Sequence, residues 1–152
     1  MNASSPVVIR RADAQDVEAV ARLFRAVRDA CLPYLPRLHN AEQDLWFFRE
    51  RVFPECAIWV AAEERILGFC AVRDDWLDHL YVHPDRHGNG FGSVLLARAV
   101  NGRDRLKLWV FQRNRTAIDF YVAKGFRLVE TTDGARNEER EPDALYEWRR
   151  SP

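Results

Sequence analysis

The chain of 152 residues lacks any excess of charge, because 23 Lys and Arg are balanced by 23 Asp and Glu. A protein that holds nucleic acid through phosphate contacts needs a local surplus of cations, so this balance argues against that class. A compact anion site made of main-chain N–H groups adds nothing to the count and stays open. The composition therefore favours an enzyme or a small-ligand module.

Long apolar runs and cysteine pairs are also missing. No stretch approaches the roughly 18 apolar residues that cross a bilayer, and Met1 to Pro6 has no apolar core of a signal peptide. The three cysteines, Cys31, Cys56 and Cys70, have no C-x-x-C spacing and lie in apolar surroundings. Such residues are typical of buried free thiols. We therefore expect a cytoplasmic protein that neither crosses nor binds a membrane.

Strand and helix patterns alternate along the chain, which is 47% hydrophobic. Helical spacing follows Asp13 as far as Cys31, and a second helix begins after Asn40 and ends at Pro54. Two strand–helix–strand stretches from Trp76 onward predict a parallel portion of the sheet. The fold class is therefore α+β: one domain over residues 1–152, with a mixed, mostly antiparallel sheet of about six or seven strands flanked by about four helices. The predicted strands are 7–9, 57–62, 66–72, 76–82, 106–111, 126–130 and 144–148.

The most informative stretch is a turn with three alternating glycines, Gly88, Gly90 and Gly92, between a strand and an apolar helix. Glycine permits left-handed backbone angles and leaves room for a ligand. The free N–H groups of the helix's first turn face the loop, so the pattern predicts a phosphate or pyrophosphate. A tight turn without a ligand is the alternative. A dinucleotide fingerprint and a P-loop both fail at Ser93, which disfavours a nucleotide-binding module.

A second pattern follows the strand 106–111. Asn114 is well suited to cap a helix, and Tyr121 lies seven residues further on. Seven residues are almost two full turns, so both side chains emerge on one helix face. A core aromatic with a satisfied hydroxyl is the other interpretation of Tyr121.

In these two motifs the sequence resembles the GNAT superfamily of N-acetyltransferases. The superfamily pattern of Gln or Arg, two residues, Gly, one residue and Gly or Ala is similar to residues 87–92, with His87 in the first position. The second motif of the superfamily is similar to residues 114–126. Less specific similarity to one bacterial branch extends the resemblance over nearly the whole chain.

The resemblance implies acetyl-coenzyme A as the cosubstrate. Main-chain N–H groups of the glycine turn would hold its pyrophosphate, and the preceding strand would line its pantetheine arm and thioester. His87 in place of Gln or Arg puts one side-chain contact in doubt, but not the main-chain cradle. The implied cofactor-binding residues are Leu80, Tyr81, Val82, His87, Gly88, Asn89, Gly90, Phe91, Gly92, Ser93, Asn114 and Tyr121.

The resemblance also implies a catalytic Tyr121. A tyrosine with an ordinary pKa near 10 is protonated at neutral pH and can donate to the leaving thiolate. The acceptor ammonium must also lose a proton. Asp78 is our first candidate for that base, His79 is the second, and water is the third. Strand alternation predicts Asp78 on the same face as Leu80 and Val82, and His79 on the opposite face.

No metal site is expected. His79, His83 and His87 are spaced by four, which would align metal ligands on a helix. Pro84 and the strand pattern exclude a helix at this point.

We therefore predict an N-acetyltransferase that transfers the acetyl group directly to a primary amine in a ternary complex, since no cysteine is placed as an acyl carrier. The acceptor is a small-molecule or peptide amine that the sequence does not identify. Tyr34, His39 and the acidic loop around Glu138 and Glu139 are candidates for contacts with it. A noncatalytic acyl-coenzyme A-binding sensor or scaffold is the alternative. A homodimer is common in similar folds, although no sequence feature supports one here.

Overall fold

Seven strands form one continuous sheet in the computed structural model, which describes residues 6–152. Most of the N-terminal segment that we interpreted as free of a signal peptide, residues 1–5, lies outside this range. The predicted strands are present: β2 and β4 have the predicted bounds, and the bounds of the other five differ by one or two residues. They are β1 Val8–Arg11, β2 Ala57–Ala62, β3 Ile66–Arg73, β4 Trp76–Val82, β5 Arg105–Phe111, β6 Arg127–Thr131 and β7 Asp143–Arg149.

The strand order across the sheet is β1-β2-β3-β4-β5-β7-β6. Within the part of the chain that the structure describes, β4 and β5 are the one parallel pair, and the other five pairs are antiparallel. The mixed, mostly antiparallel sheet is thus confirmed. The second parallel pair that we expected is wrong, because β7 inserts between β5 and β6 and pairs with both.

Four main helices and one short helix flank the sheet: α1 Val17–Cys31, α2 Ala41–Phe47, the short α3 Phe53–Glu55, α4 Phe91–Val100 and α5 Arg115–Ala123. Asn40 begins α2 with a capping box, in which its side chain accepts from the Gln43 N–H. Pro54 does not end this helical segment as predicted. A π-helical turn over Phe48–Val52 and then α3 carry it one residue further, because proline is tolerated in a first helical turn.

Two apolar cores lie on opposite faces of the sheet. Helix α1 and the π-helical turn bury Phe24, Phe48 and Phe69 on one face. Helices α4 and α5 bury Leu95 and Tyr121 on the other. Cys70 is buried as expected, but Cys31 at the end of α1 is exposed, which corrects the prediction of three buried thiols. Among residues 6–152, none of the helices combines the length and apolar content that a bilayer span requires.

Strands β4 and β5 separate soon after they meet. Trp76 and Lys107 are their one paired register position, although each strand has seven residues. The main chain beyond that point therefore has no ladder partner across the gap. The sheet opens there into a cleft that reaches from one face to the other.

A β-bulge at Asp78 interrupts the alternation of β4. His79 pairs with Ala71 and Leu77 with Val72, so Asp78 is the extra residue. Leu77 consequently packs in the same core as Leu80. Simple alternation would put Leu77 and Leu80 on opposite faces of the sheet. The alternation that we predicted for residues 76–82 is therefore wrong on the N-terminal side of the bulge.

Candidate active site

The cleft between β4 and β5 holds a cavity of about 640 Å³, which we call the glycine-turn cavity. Val27 and Cys31 of α1 line it from one face of the sheet, and Asn114 and Tyr121 of the α5 region line it from the other. Helices on the two faces of the sheet line the same cavity because β4 and β5 do not pair at this point. The predicted residues in its wall are Leu80, Tyr81, Val82, His87, Gly88, Gly90, Phe91, Gly92, Ser93, Asn114 and Tyr121.

Main-chain donors dominate one end of this cavity. The N–H groups of Gly88, Gly90, Phe91, Gly92 and Ser93 have no acceptor among residues 6–152. Three of them form the first turn of α4, where a helix has no internal partners to offer and its dipole is positive. Such a cluster is suited to the oxygens of a phosphate or diphosphate.

The three glycines of the turn differ in backbone conformation. Gly88 and Gly90 have φ of +83°, the left-handed region that side chains disfavour, and a Cβ on either would meet nothing within 4 Å. Gly92 has no such angle. A Cβ there would lie 3.4 Å from Phe120 Cζ, an ordinary contact distance, so α4 contacts α5 at Gly92.

The His87 imidazole folds back onto the end of β4. Its Nε2 donates to the Val82 carbonyl oxygen over 2.8 Å. The His83 N–H bonds to Leu67 of β3, so alternation directs the polar groups of Leu80 and Val82 toward the cleft. His87 is therefore hydrogen-bonded to the Val82 carbonyl on the cleft side of β4, and this bond holds the glycine turn against the strand.

Tyr121 is 8% exposed and lies between Phe120 and Phe126, with ring centroids 5.4 and 5.3 Å away. Burial raises the pKa of Tyr121 above its ordinary value, and nearby Tyr81 adds to the rise. The hydroxyl consequently keeps its proton at neutral pH and can act as a donor. Asn114 begins the same helix, and its Oδ1 accepts from the Ala117 N–H at 3.3 Å, which leaves its amide NH₂ available to a ligand.

A second cavity of about 570 Å³, which we call the aromatic cavity, lies beside the first. Helix α1 separates the two, since Phe24 and Arg28 face the aromatic cavity while Val27 and Cys31 face the glycine-turn cavity. The β4 residues His79 and Leu80 are consecutive and line different cavities. The two spaces therefore approach each other along this strand.

His79 forms part of the inner wall of the aromatic cavity. Its Nδ1 is buried and has no hydrogen-bond partner in the part of the chain that the structure describes. Burial lowers the pKa of His79 to about 4, and the Arg28 guanidinium adds to this effect. The ring is therefore neutral at pH 7 and keeps one unprotonated nitrogen. Five aromatic rings lie 5.4 to 6.2 Å from it, those of Phe24, Phe47, Phe48, Phe69 and Tyr81.

Asp78, our first candidate for the base, lines neither cavity. Its Oδ2 accepts from Arg73 Nε at 2.6 Å and from the Cys56 thiol at 3.7 Å. Burial raises the pKa of Asp78, while the Arg73 guanidinium opposes that rise. The bulge thus directs this carboxylate to a local ion pair.

Charged side chains pair with one another around the aromatic cavity. Arg25 donates twice to Asp44, at 2.8 and 2.9 Å, and Arg28 donates to Glu139 at 2.8 Å. His39 Nε2 lies 2.5 Å from Glu138 Oε1. His39, Glu138 and Glu139 are three of the four candidates for acceptor contacts, and all three line this cavity. The fourth, Tyr34, does not, because its ring packs against the Arg113 guanidinium at 4.2 Å.

Some lining residues were not predicted and one prediction has no support. Asn89 is exposed and is not part of the cavity wall. The residues that sequence reasoning missed are Val27, Cys31, Leu32, Arg86, Thr116, Ala117 and Phe120. Arg86, next to the glycine turn, could have been found from its charge, whereas the α1 residues come near the turn only through tertiary packing. Within residues 6–152, no three potential ligands, His79, His83 and His87 included, are grouped to hold a metal ion.

The fold and the glycine turn define a class of protein, and sequence comparison identifies the same one. Residues 54–128 match the family model of the Acetyltransferase (GNAT) domain. The chain is 30% identical over 126 residues to the peptidyl-lysine N-acetyltransferase YjaB of Escherichia coli strain K12, covering 81% of this chain and 84% of that protein. The chain therefore belongs to the GNAT family and is an N-acetyltransferase, with acetyl-coenzyme A as its acetyl donor.

Solved structures share this fold across nearly the full chain. The solution structure of apo YjaB from Escherichia coli has a TM-score of 0.77 at 24% identity, covering 94% of this chain and 97% of that one. The PaiA N-acetyltransferase from Thermoplasma acidophilum, solved in complex with coenzyme A, also has a TM-score of 0.77, at 19% identity. The match covers 95% of this chain and 99% of that one.

Proposed function

We propose that this GNAT enzyme transfers the acetyl group of acetyl-coenzyme A directly to the Nζ amine of a lysine in a peptide or protein. The observation that carries the proposal is the pair of cavities along β4, one with unpartnered main-chain donors and one with an aromatic wall. The similarity to YjaB, named as a peptidyl-lysine N-acetyltransferase, supports lysine as the acceptor. An aromatic wall with a net negative rim suits a long methylene stem that ends in an ammonium.

The cofactor-binding residues remain those predicted, with Asn89 removed and Arg86 added. The amides of Gly88, Gly90, Phe91, Gly92 and Ser93 bind the diphosphate. The Arg86 guanidinium lies in the same wall, where it is paired with Glu63 at 3.5 Å. Bound acetyl-coenzyme A supplies an activated thioester. The main-chain N–H and carbonyl groups of Leu80 and the N–H of Val82 face the cleft and orient the arm that carries it, while the Val82 carbonyl is taken by His87.

Tyr121 donates its hydroxyl proton to the sulfur as the C–S bond breaks. Its burial among apolar rings keeps that proton in place until the sulfur becomes basic. At the other side of the reaction, the lysine ammonium first loses one proton to solvent, and the attacking nitrogen becomes acidic as the new C–N bond forms and releases a second proton. We place the receiving group at His79, since it lines the acceptor side and its buried Nδ1 has no hydrogen-bond partner among the described residues. Asp78 is the alternative, and a pH–rate profile of Asp78→Asn that keeps the acidic limb of the wild type would exclude it.

The decisive experiment combines a transfer assay with a binding assay. The enzyme is incubated with acetyl-coenzyme A and a lysine peptide whose N-terminus is blocked, and mass spectrometry locates the acetyl group. We expect acetylation on Nζ and release of free thiol. Calorimetry should show binding of acetyl-coenzyme A and none of ATP or NAD. Binding of acetyl-coenzyme A without transfer to a broad panel of amines would instead favour the sensor or scaffold.

We also propose the cytoplasm as the place of action. The three cysteines are unpaired in the structure, which suits a reducing compartment.

A further inference from the structure

Three large apolar side chains stay exposed around the mouth of the aromatic cavity. Leu38, Trp46 and Phe47 line that cavity and are 43%, 59% and 39% exposed. They come from two segments, the loop before α2 and α2 itself. Large apolar groups that converge on one cavity from separate segments mark a surface that another molecule covers. We call these three residues the apolar rim.

A second part of the mouth is acidic, next to Leu38, because Glu138 contacts His39, the residue that follows Leu38. Glu138 and Glu139 reach it from the loop between β6 and β7, and Asp44 lies deeper, 5% exposed. Arg25 neutralises Asp44, and Arg28 neutralises Glu139. Among residues 6–152, the one ion-pair partner of Glu138 is His39, which is charged only when protonated. Two cations therefore face three carboxylates, and the uncompensated negative charge lies at Glu138.

The loop that carries Glu138 is held in one conformation. Asn137 Nδ2 donates to the Glu141 carbonyl at 2.6 Å, and Asn137 Oδ1 accepts from the Glu141 N–H at 3.1 Å. Arg113 clamps the Glu141 carboxylate with two hydrogen bonds of 3.0 and 2.6 Å. Gly134 has φ of +83°, and a Cβ there would collide with the Glu141 main chain. The acidic side of the mouth is therefore preorganised, which lowers the entropic cost of binding.

From this arrangement we infer that the mouth of the aromatic cavity selects lysines in a peptide segment with an apolar side chain on one side and a second cationic side chain on the other. The apolar side chain packs on the apolar rim, and the second cation pairs with Glu138. The inference rests on the proposed peptidyl-lysine function and refines it. A free polyamine has no apolar side chain to pack on the apolar rim, and a free amino acid has no neighbouring residues that could contact the rim and Glu138.

The test uses four blocked peptides with one target lysine each, in which one neighbour is Leu or Ala and the other neighbour is Arg or Ala. Either orientation along the chain is included. We expect Leu to raise kcat/KM about tenfold over Ala, as partial burial of one such side chain does. Arg should raise it about threefold, the range of an exposed ion pair. Both gains should appear in KM, with kcat nearly constant.

Variants assign each gain to its side of the mouth. Trp46→Ala should reduce the preference for Leu to about twofold, and Glu138→Gln should abolish the preference for Arg. The matched controls are Trp109→Ala and Glu42→Gln, an exposed tryptophan and an exposed glutamate that line neither cavity. Both controls should keep both preferences. Fluorescence anisotropy with labelled acetyl-lysine peptides should reproduce the ranking without turnover.

The outcomes separate the two proposals. If lysine peptides are acetylated with no neighbour preference, or if Trp46→Ala and Glu138→Gln behave as their controls do, the selectivity of the mouth is overturned while the lysine acceptor stands. If acetyl-coenzyme A binds but no peptide lysine is acetylated, both fall. If Trp46→Ala instead converts a dimer to a monomer in sedimentation without changing peptide preference, a second copy covers the apolar rim and the inference is also overturned.

Discussion

The two cavities along β4 are built from different parts of the polypeptide. The wall of the glycine-turn cavity exposes main-chain N–H groups, together with glycines that side chains would distort. The aromatic cavity is built from side chains: aromatic rings, two Arg–carboxylate pairs and an unpartnered imidazole. One cavity depends on backbone conformation and the other on side-chain identity.

This difference explains why the donor half of the reaction can be recognised from sequence and the acceptor half cannot. Main-chain donors recognise a diphosphate through a short pattern of glycines around a helix start, which many sequences can share. Side chains that recognise an acceptor can vary from one enzyme to the next without changing the fold. We therefore expect changes in the glycine-turn cavity to alter cofactor binding or chemistry, and changes in the aromatic cavity to alter the acceptor.

The strongest test of this separation is Tyr121→Phe, because Tyr121 lies in the glycine-turn cavity but has a proposed role that depends on its side chain. Removal of a general acid costs roughly 10² to 10⁴ in rate, and we expect kcat to fall about 10³-fold. Calorimetry should show an almost unchanged Kd for acetyl-coenzyme A, since the ring and its packing remain. A kcat equal to that of the wild type would remove Tyr121 from the mechanism.

The second test is the pH dependence of the free energy of unfolding. We expect His79, in the aromatic cavity, to account for most of that dependence between pH 6.5 and 4. In the folded state the pKa of His79 is about 4, and in the unfolded chain it is near 6.5. As pH falls from 6.5 to 4, the unfolded chain binds a proton that the folded protein does not, so stability is lost in that window. At about 1.4 kcal/mol per pKa unit, the loss approaches about 3 kcal/mol.

Urea unfolding of the wild type and His79→Gln at several pH values measures this effect. The variant should lose most of the pH dependence between 6.5 and 4, whatever its stability at neutral pH. Parallel curves for the two proteins would show that His79 is not the group responsible.

The third test compares two carboxylates on one guanidinium. Asp44 is 5% exposed and accepts two hydrogen bonds from Arg25, whereas Asp29 is half exposed and lies 3.9 Å from the same side chain. Asp44→Asn should lower the free energy of unfolding by about 2 kcal/mol, because it leaves Arg25 largely buried without its anion. Asp29→Asn should cost no more than about 0.5 kcal/mol. Similar losses for the two variants would contradict this account of the aromatic cavity.

The smallest expected effect comes from comparing two glycines that have similar backbone angles, of which one lies in the glycine turn and the other lies outside it. Gly90 in the glycine turn has φ of +83°, and Gly102 after α4 has φ of +76°. A Cβ added at either position would meet nothing within 4 Å. Alanine should therefore cost each site a similar stability of about 1 kcal/mol. Only Gly90→Ala should weaken acetyl-coenzyme A binding, by about tenfold in calorimetry. Equal affinity for the two variants would mean that the turn does not cradle the cofactor.

Much of the glycine-turn cavity could be predicted because its features are local. The capping residue Asn114, the positive φ at Gly88 and Gly90, and the placement of Tyr121 all follow from short-range spacing. The face of β4 on which Asp78 lies could not be predicted in this way, because a single inserted residue in a strand reverses the face that a side chain occupies. That bulge depends on the pairing with β3, which the sequence of β4 does not contain.

The amino-acid sequence alone determined the order of strands and helices, the cradle of free amides and the family, because these depend on periodicity and on residues adjacent in the chain. Tertiary structure decided that β4 and β5 separate, that α1 lies between the glycine-turn cavity and the aromatic cavity, and that Glu138 meets His39 across 99 positions of sequence. Contacts between residues so far apart depend on how the layers pack, and packing has no short-range signature in a single sequence.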